Sequence, residues 1–499
     1  MTRDRQDIVV IGSGIVGLST AYYLLTISPS SRVTVLESST TGTIAGGASS
    51  YAGGFIAGGA SWHNVPSQDL ARESWKCHVA LAKLLDGAEN FGWRECGAIG
   101  LSVGDPVDRS AYRTLPGGTK KEKIEADDGK LPPGEWVEGE KEELSLEGGV
   151  GQVDPLEFCQ TLFRYLSTTF PDRFSIRFGR ATSIQRPSSL SKLLPKSLVS
   201  SRSTLTFSPY TSLDKPSSSP ADRPSSSTTV SASTSTIDIP FDKIVVAAGP
   251  WSAQVCDELK LPPIPITNLP GHSLLIRPSL DSYIPPSSTS TSSPVSSDHV
   301  PKELPSGAVF AGIDGGVGGV HGDAFGLARG LSEEEKRRGY TRAPEFFVRK
   351  NGLIFVAGEN SIPESAAPSS VGLPNKLPST VDEVKEMIDE ECVGRLKRAA
   401  GAVSPFLKEE NGAIVERSQF CYRPISSDRE PIVGFIEENV LVATGHGPWG
   451  ITLAPGTGKV VAQMVLGHKL SANVDGLSPT RFGIGVGIPN DSVSVKSKL

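Results

Sequence analysis

The stretch from Asp7 to Glu37 constrains the fold of this chain more than any other part of the sequence. Its apolar run Ile8–Ile11 is short, β-branched and unbroken, which is typical of a strand buried on both faces of a parallel sheet. Gly12, Gly14 and Gly17 follow at once in the spacing G-x-G-x-x-G. The first glycine allows a tight turn, the second lets the backbone approach a pyrophosphate, and the third lets helix and strand pack closely. The stretch therefore predicts a binding site for a dinucleotide.

A helix and a second strand complete this βαβ unit. The predicted helix directs its N-terminal amides and the positive end of its dipole at the phosphates. The second strand, Arg32–Leu36, ends in Glu37, twenty residues after Gly17. An acidic side chain at this distance accepts hydrogen bonds from a ribose 2′-hydroxyl and repels a 2′-phosphate. We therefore expect Glu37 to bind the ribose.

The length and composition of the chain argue against several classes of protein. At 499 residues the chain is long enough for two domains. Its net charge of −6, with mixed signs, gives no basic surface for nucleic acid. The six cysteines have no C-x-x-C spacing, which argues against a metal site and against a disulfide scaffold. No apolar run approaches the roughly 18 residues that span a bilayer, so we expect no transmembrane segment.

The last three residues, Ser497-Lys498-Leu499, carry a targeting signal. A C-terminal S-K-L is the address that the peroxisomal import receptor reads. The polar residues before it would leave this signal exposed, and the first strand begins too early to leave room for an N-terminal signal peptide. The sequence predicts a peroxisomal protein, with the cytoplasm as the alternative.

Two segments rich in Ser, Thr and Pro interrupt the chain, residues 187–236 and residues 282–306. Such a composition buries too little apolar area to offset the entropy lost on ordering. We therefore expect both segments to be disordered insertions.

Three further segments can bring backbone close to a ligand. The loop Thr40–Gly59 consists mainly of small residues, and the buried strand Ile244–Ala248 runs into a tight turn at Gly249. A second strand–glycine–helix unit lies at Val440–Leu466, with glycines at 445, 447 and 450. The N-terminus of its helix would offer backbone donors to an electron-rich ring edge.

Together these motifs resemble the D-amino-acid oxidase superfamily of FAD-dependent oxidoreductases, which includes glycine and sarcosine oxidases. The residues that carry the resemblance are the glycine fingerprint with Glu37, Gly47-Ala48-Ser49-Ser50 with Gly53-Gly54, Val153-Asp154-Pro155, Ala247-Ala248-Gly249-Pro250-Trp251, Arg423-Pro424 with Asp428 and Pro431, and Gly445-His446-Gly447. They cover the FAD-binding parts of the chain, whereas the substrate half has no specific motif.

The resemblance implies an α/β fold. A discontinuous Rossmann-type FAD-binding domain is interleaved with an α+β substrate domain that contains a mixed sheet. In this sequence we assign residues 1–75, 150–255 and 420–470 to the FAD-binding domain and residues 76–149 and 256–419 to the substrate domain. Residues 471–499 then form a tail that carries the peroxisomal signal.

The resemblance also implies a reaction. A small amine or amino acid loses a hydride from its α-carbon to the flavin, the imine hydrolyses, and molecular oxygen reoxidises the flavin and yields hydrogen peroxide. The alternatives are a flavin dehydrogenase that passes electrons to another acceptor and an FAD-binding trafficking or interaction protein. An NAD(P)-dependent enzyme is disfavoured, because the second glycine-rich unit is what flavin placement needs.

Arg423 and His446 are the candidates for the catalytic site. Arg423 matches the family's arginine in the R-P segment and could hold a substrate carboxylate by a bidentate pair. The alternative for Arg423 is a structural ion pair with Asp428. His446, between two glycines, could donate to the flavin or could have no role. His272 and His321 could also face the pocket, although a core or surface position is favoured for both.

Cys421 has two interpretations. In sarcosine oxidase-like members a cysteine seven residues before the equivalent aspartate carries the flavin covalently, and Cys421 stands seven residues before Asp428. Many relatives have a small residue there and bind FAD without a covalent bond. The sequence therefore leaves a covalent bond and a packed side chain beside the ring both open.

The remaining predicted cofactor-binding residues come from the same motifs. They are Gly12, Ser13, Gly14, Ile15, Val16, Gly17, Glu37, Ser38, Ala48, Ser49, Ser50, Gly53, Gly54, Gly249, Trp251, Gly445, Gly447, Gly450, Ile451 and Thr452.

Overall fold

The computed structural model describes residues 5–104, 136–144, 146–187, 202–210, 235–280, 307–314, 339–360 and 377–486. Its strands are β1 (Gln6–Ile11), β2 (Ser31–Glu37), β3 (Phe55–Ala57), β4 (Arg94–Glu95), β5 (Gly97–Val103), β6 (Glu140–Glu143), β7 (Val150–Gln152), β8 (Phe174–Gln185), β9 (Ser203–Pro209), β10 (Ile237–Phe241), β11 (Lys243–Val246), β12 (Ile266–Arg277), β13 (Gly307–Ile313), β14 (Glu345–Val348), β15 (Ile354–Glu359), β16 (Ile414–Ser426), β17 (Ile432–Glu437) and β18 (Val440–Thr444). Its α-helices are α1 (Ile15–Ile27), α2 (Ala48–Tyr51), α3 (Gln68–Leu84), α4 (Gly87–Phe91), α5 (Pro155–Thr169), α6 (Ser252–Glu258), α7 (Glu390–Val403) and α8 (Gly450–Leu466).

The largest sheet contains the predicted dinucleotide-binding unit. Within the described residues it has eight strands in the order β10-β9-β8-β2-β1-β11-β18-β17. The central strands β8, β2, β1, β11 and β18 run parallel, and antiparallel neighbours close both edges. Helices α1, α3, α5 and α8 contribute to the apolar core on one face, while α6 contributes to the core on the other. Because both faces are covered there, the innermost strands carry unbroken apolar runs, Ile8–Ile11 in β1, Ile244–Val246 in β11 and Val440–Ala443 in β18, as the sequence of β1 predicted.

A second sheet supplies the other half of the structure. Among the described residues its strand order is β16-β12-β15-β14-β13-β5-β6, and only the β13–β5 pair is parallel. Helix α7 packs on one face through Leu396, Ala399 and Val403, against strand residues such as Leu274 and Val356. The other face is turned towards the large sheet. A small third sheet has the strand order β3-β7-β4. Together the three sheets and their helices confirm the predicted α/β fold with mixed sheets.

Two of the predicted domain boundaries fall inside regular elements. The boundary between residues 75 and 76 lies within α3, whose Leu70 and Leu81 share one core with α1 and α8. Phe91 of α4 belongs to the same core, so the chain stays with the large sheet through α4. The boundary between residues 419 and 420 lies within β16, which pairs with β12 along its whole length. Helix α3 and strand β16 thus cross the two boundaries, and the assignment of residues to two domains stays a prediction.

The predicted insertion 187–236 contains an ordered strand, which corrects that prediction. Strand β9 pairs with both β8 and β10. Leu205 and Phe207 alternate along it and are buried in the core beneath the large sheet. Two apolar side chains at strand spacing are enough to anchor this segment despite its polar flanks. Residues 188–201, 211–234 and 281–306 lie outside the described residues.

The segment after α8 is folded as far as the structure describes it. Val474 and Leu477 are buried in the core that contains α1 and α8. Arg481 forms an ion pair with Asp428, with its Nε 2.6 Å from Oδ2. The predicted tail therefore begins later than residue 471, and Ser497-Lys498-Leu499 lies outside the described residues. In the described part of the chain, no helix combines the length and apolar character that crossing a bilayer requires.

Candidate active site

One long cleft collects most of the predicted site residues. It runs from the carboxyl ends of β1 and β2 to the free face of the second sheet. Its lining includes these predicted residues: Gly12, Gly14, Ile15, Val16, Glu37, Ser38, Ala48, Ser49, Gly53, Gly54, Gly249, Trp251, Cys421, Arg423, His446, Gly447, Gly450 and Ile451. Segments far apart in sequence thus meet at one cleft.

The glycine fingerprint forms the end of the cleft at the N-terminus of α1. Gly12 has φ +110°, and a Cβ there would lie 2.4 Å from the carbonyl oxygen of Ala247 on the neighbouring segment. A Cβ on Gly17 would lie 2.0 Å from the carbonyl oxygen of Gly12, so this glycine allows α1 to pack against the turn. Helix α1 has no acidic side chain in its first turn. Its N-cap residue is Gly14, which has no side chain to cap the helix. The positive end of the helix dipole is therefore available to an anion such as a pyrophosphate.

Glu37 lies at the end of β2 in a fixed orientation. Its Oε2 accepts hydrogen bonds from the backbone N–H of Ser13 at 2.9 Å and from the Ser13 hydroxyl at 2.6 Å. Its Oε1 accepts from the backbone N–H of Ser38 at 2.8 Å. Burial raises the pKa of Glu37, and the hydrogen bonds from Ser13 and Ser38 oppose that rise. The carboxylate is held at the cleft wall, where the fingerprint predicts a ribose.

The loop after β2 folds back over the start of α1. The hydroxyl of Ser49 in α2 accepts a hydrogen bond from the backbone N–H of Ile15 at 3.1 Å. A Cβ added to Gly249 would meet no atom within 4 Å, and one added to Gly447 would meet only Ile425, at 3.9 Å. At these glycines the cleft reaches the backbone directly. The space left there fits a ligand that lies flat against the main chain.

Two predicted residues near the fingerprint lie behind the cleft wall. Ser13 is fully buried, and its hydroxyl donates to Glu37 and accepts from the N–H of Ala45 at 3.1 Å. Gly17 packs against Gly12, as described above. Their role is to shape the wall, because their own atoms are screened from the cleft by Gly12 and Glu37.

Three more predicted residues are also set back from the cleft. The Ser50 hydroxyl donates to the carbonyl oxygen of Ala45. The Thr452 hydroxyl donates to the carbonyl oxygen of Phe55 at 3.1 Å, and a Cβ on Gly445 would lie 3.1 Å from Ile266. These residues hold neighbouring segments together instead of lining the cleft.

Arg423 lies at the far end of the cleft, on β16. Its Nη2 donates to the carbonyl oxygen of Pro270 at 3.3 Å and to the side-chain oxygen of Asn360. Its buried Nε has no hydrogen-bond acceptor among the described residues. A Cβ on Gly271 would lie 2.6 Å from Nη2, so this glycine makes room for the guanidinium. Asp428 pairs with Arg481 instead, and the alternative ion pair of Arg423 with Asp428 is therefore wrong.

Cys421 stands two residues before Arg423 and lines the same wall. It is paired with Gly271 across the β12–β16 ladder and is 8 % exposed. Burial raises the pKa of its thiol to about 11, although Arg423 lowers it. The thiol therefore faces the cleft in its protonated form at neutral pH.

Two histidines of the lining are buried and neutral. The Nε2 of His446 lies 3.0 Å from the hydroxyl of Thr457, and burial lowers the pKa of His446 to about 4. His272 lies beside the cleft in the favoured core position: it is 1 % exposed, and its ring packs against Phe420 with the ring centroids 4.7 Å apart. Its Nε2 accepts a hydrogen bond from the backbone N–H of Asp389 at 3.0 Å, so the proton is on Nδ1. His321 lies outside the described residues.

Comparison with known proteins decides the family. The family model described as FAD dependent oxidoreductase matches residues 7–188 and 220–464. The chain belongs to this family. Its cofactor is FAD, and the motifs recognised in the sequence are those of the D-amino-acid oxidase superfamily.

Relatives of this FAD-dependent oxidoreductase span nearly its whole length. The Schizosaccharomyces pombe oxidoreductase C1F5.03c is 25 % identical over 487 residues, which are 95 % of this chain and 98 % of that protein. Glycine oxidase from Geobacillus kaustophilus has 18 % identity and a TM-score of 0.60, and the match covers 96 % of this chain and 99 % of that one. L-proline dehydrogenase from P. horikoshii has 14 % identity and a TM-score of 0.56, with 96 % and 98 % coverage. At these identities the structural matches establish the shared fold.

The residues that line the cleft fit the parts of an FAD molecule. The α1 N-terminus and the oriented Glu37 suit the phosphates and ribose, and the glycines at 249, 447 and 450 leave room against the backbone for a flat ring. FAD-dependent oxidoreductases of this superfamily are related to amino-acid oxidases.

Sequence reasoning missed the part of the lining that comes from the second sheet. These residues are Gly271, Ser273, Phe310, Glu345, Phe347, Phe355 and Ala357. Strand alternation gives the side on which each lies, but the pairing of β12, β14 and β15 is needed to show that these sides form one surface.

Proposed function

We propose that this FAD-dependent oxidoreductase oxidises a small amine or amino acid that carries a carboxylate, giving an imine and, with molecular oxygen, hydrogen peroxide. One observation carries the proposal: Arg423, whose Nε is buried without an acceptor among the described residues, lies in the same cleft as the glycine fingerprint and Glu37. FAD, when bound, supplies the hydride acceptor. The protein's own residues therefore need to bind the substrate, orient it and exclude water.

Arg423 is suited to hold a carboxylate. Burial lowers the pKa of its guanidinium, and no carboxylate forms an ion pair with it among the described residues. Its Nε is buried without an acceptor, which is costly unless a ligand supplies one. A substrate carboxylate would accept from this donor and fix the direction of the α-carbon.

The apolar walls around this position favour a small substrate. Phe347 and Phe355 lie with their ring centroids 5.9 Å apart, and Phe310 packs edge-on against Phe347. Aromatic walls exclude water and strengthen electrostatic contacts inside the cleft. The similarity to glycine oxidase and L-proline dehydrogenase supports an amino-acid substrate, while oxidase and dehydrogenase remain separate outcomes for the electron acceptor.

We also propose that the protein works in the peroxisome. The support is the C-terminal Ser497-Lys498-Leu499 together with the peroxide that the proposed reaction forms. Deletion of these three residues from a chain fused at its N-terminus to a fluorescent protein would move the signal from peroxisomes to the cytoplasm.

The test of the proposed reaction uses the purified holoprotein under anaerobic conditions. Glycine, N-methyl amino acids, and D- and L-amino acids are added in turn, and bleaching of the flavin absorbance is followed. At least one of them is expected to bleach the flavin, and admission of air is expected to restore the colour and produce peroxide. Absence of bleaching by every compound would exclude the proposed substrates, and bleaching without reoxidation by air would favour a dehydrogenase.

A further inference from the structure

One acidic side chain in the cleft has no part in the function proposed above. Glu345 is the first residue of β14 and lines the cleft. Its carboxylate makes no hydrogen bond and no ion pair with any residue that the structure describes. Glu345 is only partly exposed, and a carboxylate that loses part of its hydration without gaining a partner is costly, so its position calls for a ligand that satisfies it.

Strand register places Glu345 on the same surface as Arg423. Glu345 is paired with Ala357 of β15, and Ala357 is paired with Ser273 of β12. Directly paired residues of antiparallel strands point to the same face of a sheet. Arg423 and Cys421 alternate on that face of β16, where Cys421 is paired with Gly271.

The residues between the two charges are small. Gly271, Ser273 and Ala357 form the floor of the cleft from Arg423 to Glu345. Their short side chains leave the space above the floor open to a ligand. Phe310, which is paired with Glu345 on the other side, closes the far end.

The two charges influence each other without forming an ion pair. Burial raises the pKa of Glu345, and the guanidinium of Arg423 lowers it. Burial likewise lowers the pKa of Arg423, and Glu345 is among the groups that raise it. The cleft thus presents a cation and an anion on one surface, with a gap between them that a dipolar molecule can fill.

We propose that Glu345 binds the ammonium group of the substrate while Arg423 binds its carboxylate, so that Glu345 selects amino acids over plain carboxylates and hydroxy acids. This inference rests on the proposed function, because it assigns the second charge of the same substrate. Glu345 acts here through charge: it attracts an ammonium group and repels an anionic substituent, while an uncharged substituent at the same place would take water from the carboxylate without replacing it.

The test is a binding measurement that involves no turnover. 2-Aminoisobutyrate carries both charges but has no α-hydrogen, and pivalate has nearly the same shape with a methyl in place of the ammonium. Each is titrated into the holoprotein, and the shift of the flavin absorption spectrum gives its affinity. The wild type is expected to prefer 2-aminoisobutyrate by about tenfold or more.

The decisive variant is Glu345→Gln, with Glu142→Gln on β6 of the same sheet as the matched control. Glu345→Gln is expected to bind pivalate several-fold more tightly than the wild type and to lose the preference for 2-aminoisobutyrate. A gain in pivalate affinity cannot come from misfolding. An unchanged preference in Glu345→Gln, or a wild type that binds neither probe at millimolar concentrations, would overturn the proposal.

The two proposals fail in different ways. If the probe preference depends on Glu345 but no amine bleaches the flavin, the proposed oxidation fails while the charge selection stands. If amines bleach the flavin but the probe preference ignores Glu345, the role of Glu345 fails and the oxidation stands.

Discussion

The hydroxyl of Ser13 donates a hydrogen bond to the carboxylate of Glu37 at 2.6 Å and so joins the end of β1 to the end of β2. The backbone N–H of Ser13 donates to the same oxygen at 2.9 Å. Ser13 is fully buried and Glu37 is 8 % exposed, so the contact is shielded from water. This pair orients the carboxylate before FAD arrives, which reduces the entropy that binding must overcome.

Replacement of Glu37 by Gln is expected to weaken FAD binding. Hydrogen bonds to a charged group contribute about 1.5–3 kcal/mol, so loss of the charge at the ribose should raise the FAD dissociation constant roughly 10- to 100-fold. Quenching of flavin fluorescence on titration into the apoprotein measures this constant. Glu438→Gln, an exposed acid on the loop between β17 and β18, is the control. Equal affinity in the Glu37→Gln protein and the control would show that Glu37 has only a structural role.

The same site shows how far the sequence could predict the structure. The β1–α1–β2 unit could be predicted because its determinants are neighbours in the chain: an apolar run, three glycines and an acid at a fixed distance. Strand β5 could not, because its parallel partner β13 begins at Gly307, some two hundred residues later. Such a pairing leaves no local periodicity that a single sequence displays.

Asp154 shows how tertiary contacts override a local pattern. Helix α5 begins at Pro155 with Asp154 at the N-cap, yet the Asp154 side chain makes no capping bond. Its carboxylate instead pairs with Arg349, whose Nη1 lies 2.9 Å from Oδ1. Arg349 also donates to the carbonyl oxygens of Val153 and Ala52, so it ties the end of β14 to the segments beside β7 and β3 of the small third sheet. This contact could not be predicted from local sequence, because Arg349 lies almost two hundred residues away.

Glu345 and Arg423 illustrate the same limit in the cleft. The R-P motif identified Arg423, whereas Glu345 begins an ordinary apolar strand. Only the register of β12, β15 and β14 brings Glu345 onto the surface that Arg423 shares. A one-residue change of register would turn it to the opposite face.

The flavin is expected to be bound without a covalent link to Cys421. Thiolates are the nucleophilic form of cysteine, and burial raises the pKa of Cys421 to about 11, so the thiol stays protonated at neutral pH. Acid precipitation of the holoprotein should therefore leave the yellow colour in the supernatant. A yellow pellet, and its loss in Cys421→Ser, would instead demonstrate a thioether.

Stability is expected to fall as the pH is lowered from 6.5 towards 4. Burial lowers the pKa of His78, His272 and His446 from 6.5 to about 4 each. Between these values the unfolded chain binds protons that the folded chain rejects, so each histidine favours unfolding as the pH falls. The loss is about 1.3 kcal/mol per histidine between pH 7.5 and pH 5.5.

Urea unfolding at a series of pH values measures this effect. Between pH 4 and pH 6.5 the slope of unfolding free energy against pH should be smaller in His446→Asn than in the wild type. The difference should correspond to at most one proton fewer bound on unfolding. Identical slopes would mean that His446 titrates normally in the folded protein.

Arg423→Gln is expected to abolish discrimination in favour of carboxylate-bearing substrates. Truncation of one partner of a buried charge pair costs about 2–5 kcal/mol, so the affinity for such substrates should fall at least 30-fold. The neighbouring cleft glycine Gly271 leaves the glutamine room without a clash, and FAD content should be retained because Glu37 and the glycine fingerprint are unchanged. Arg417→Gln, which changes an exposed arginine on the same strand, provides the matched control.

The measurement is the dependence of anaerobic flavin bleaching on substrate concentration. Amino acids are compared with the corresponding amines that lack a carboxylate. Bleaching by amino acids should require much higher concentrations in Arg423→Gln, and bleaching by the simple amines should change little. An equal effect on both classes would mean that Arg423 shapes the cleft and does not bind the carboxylate.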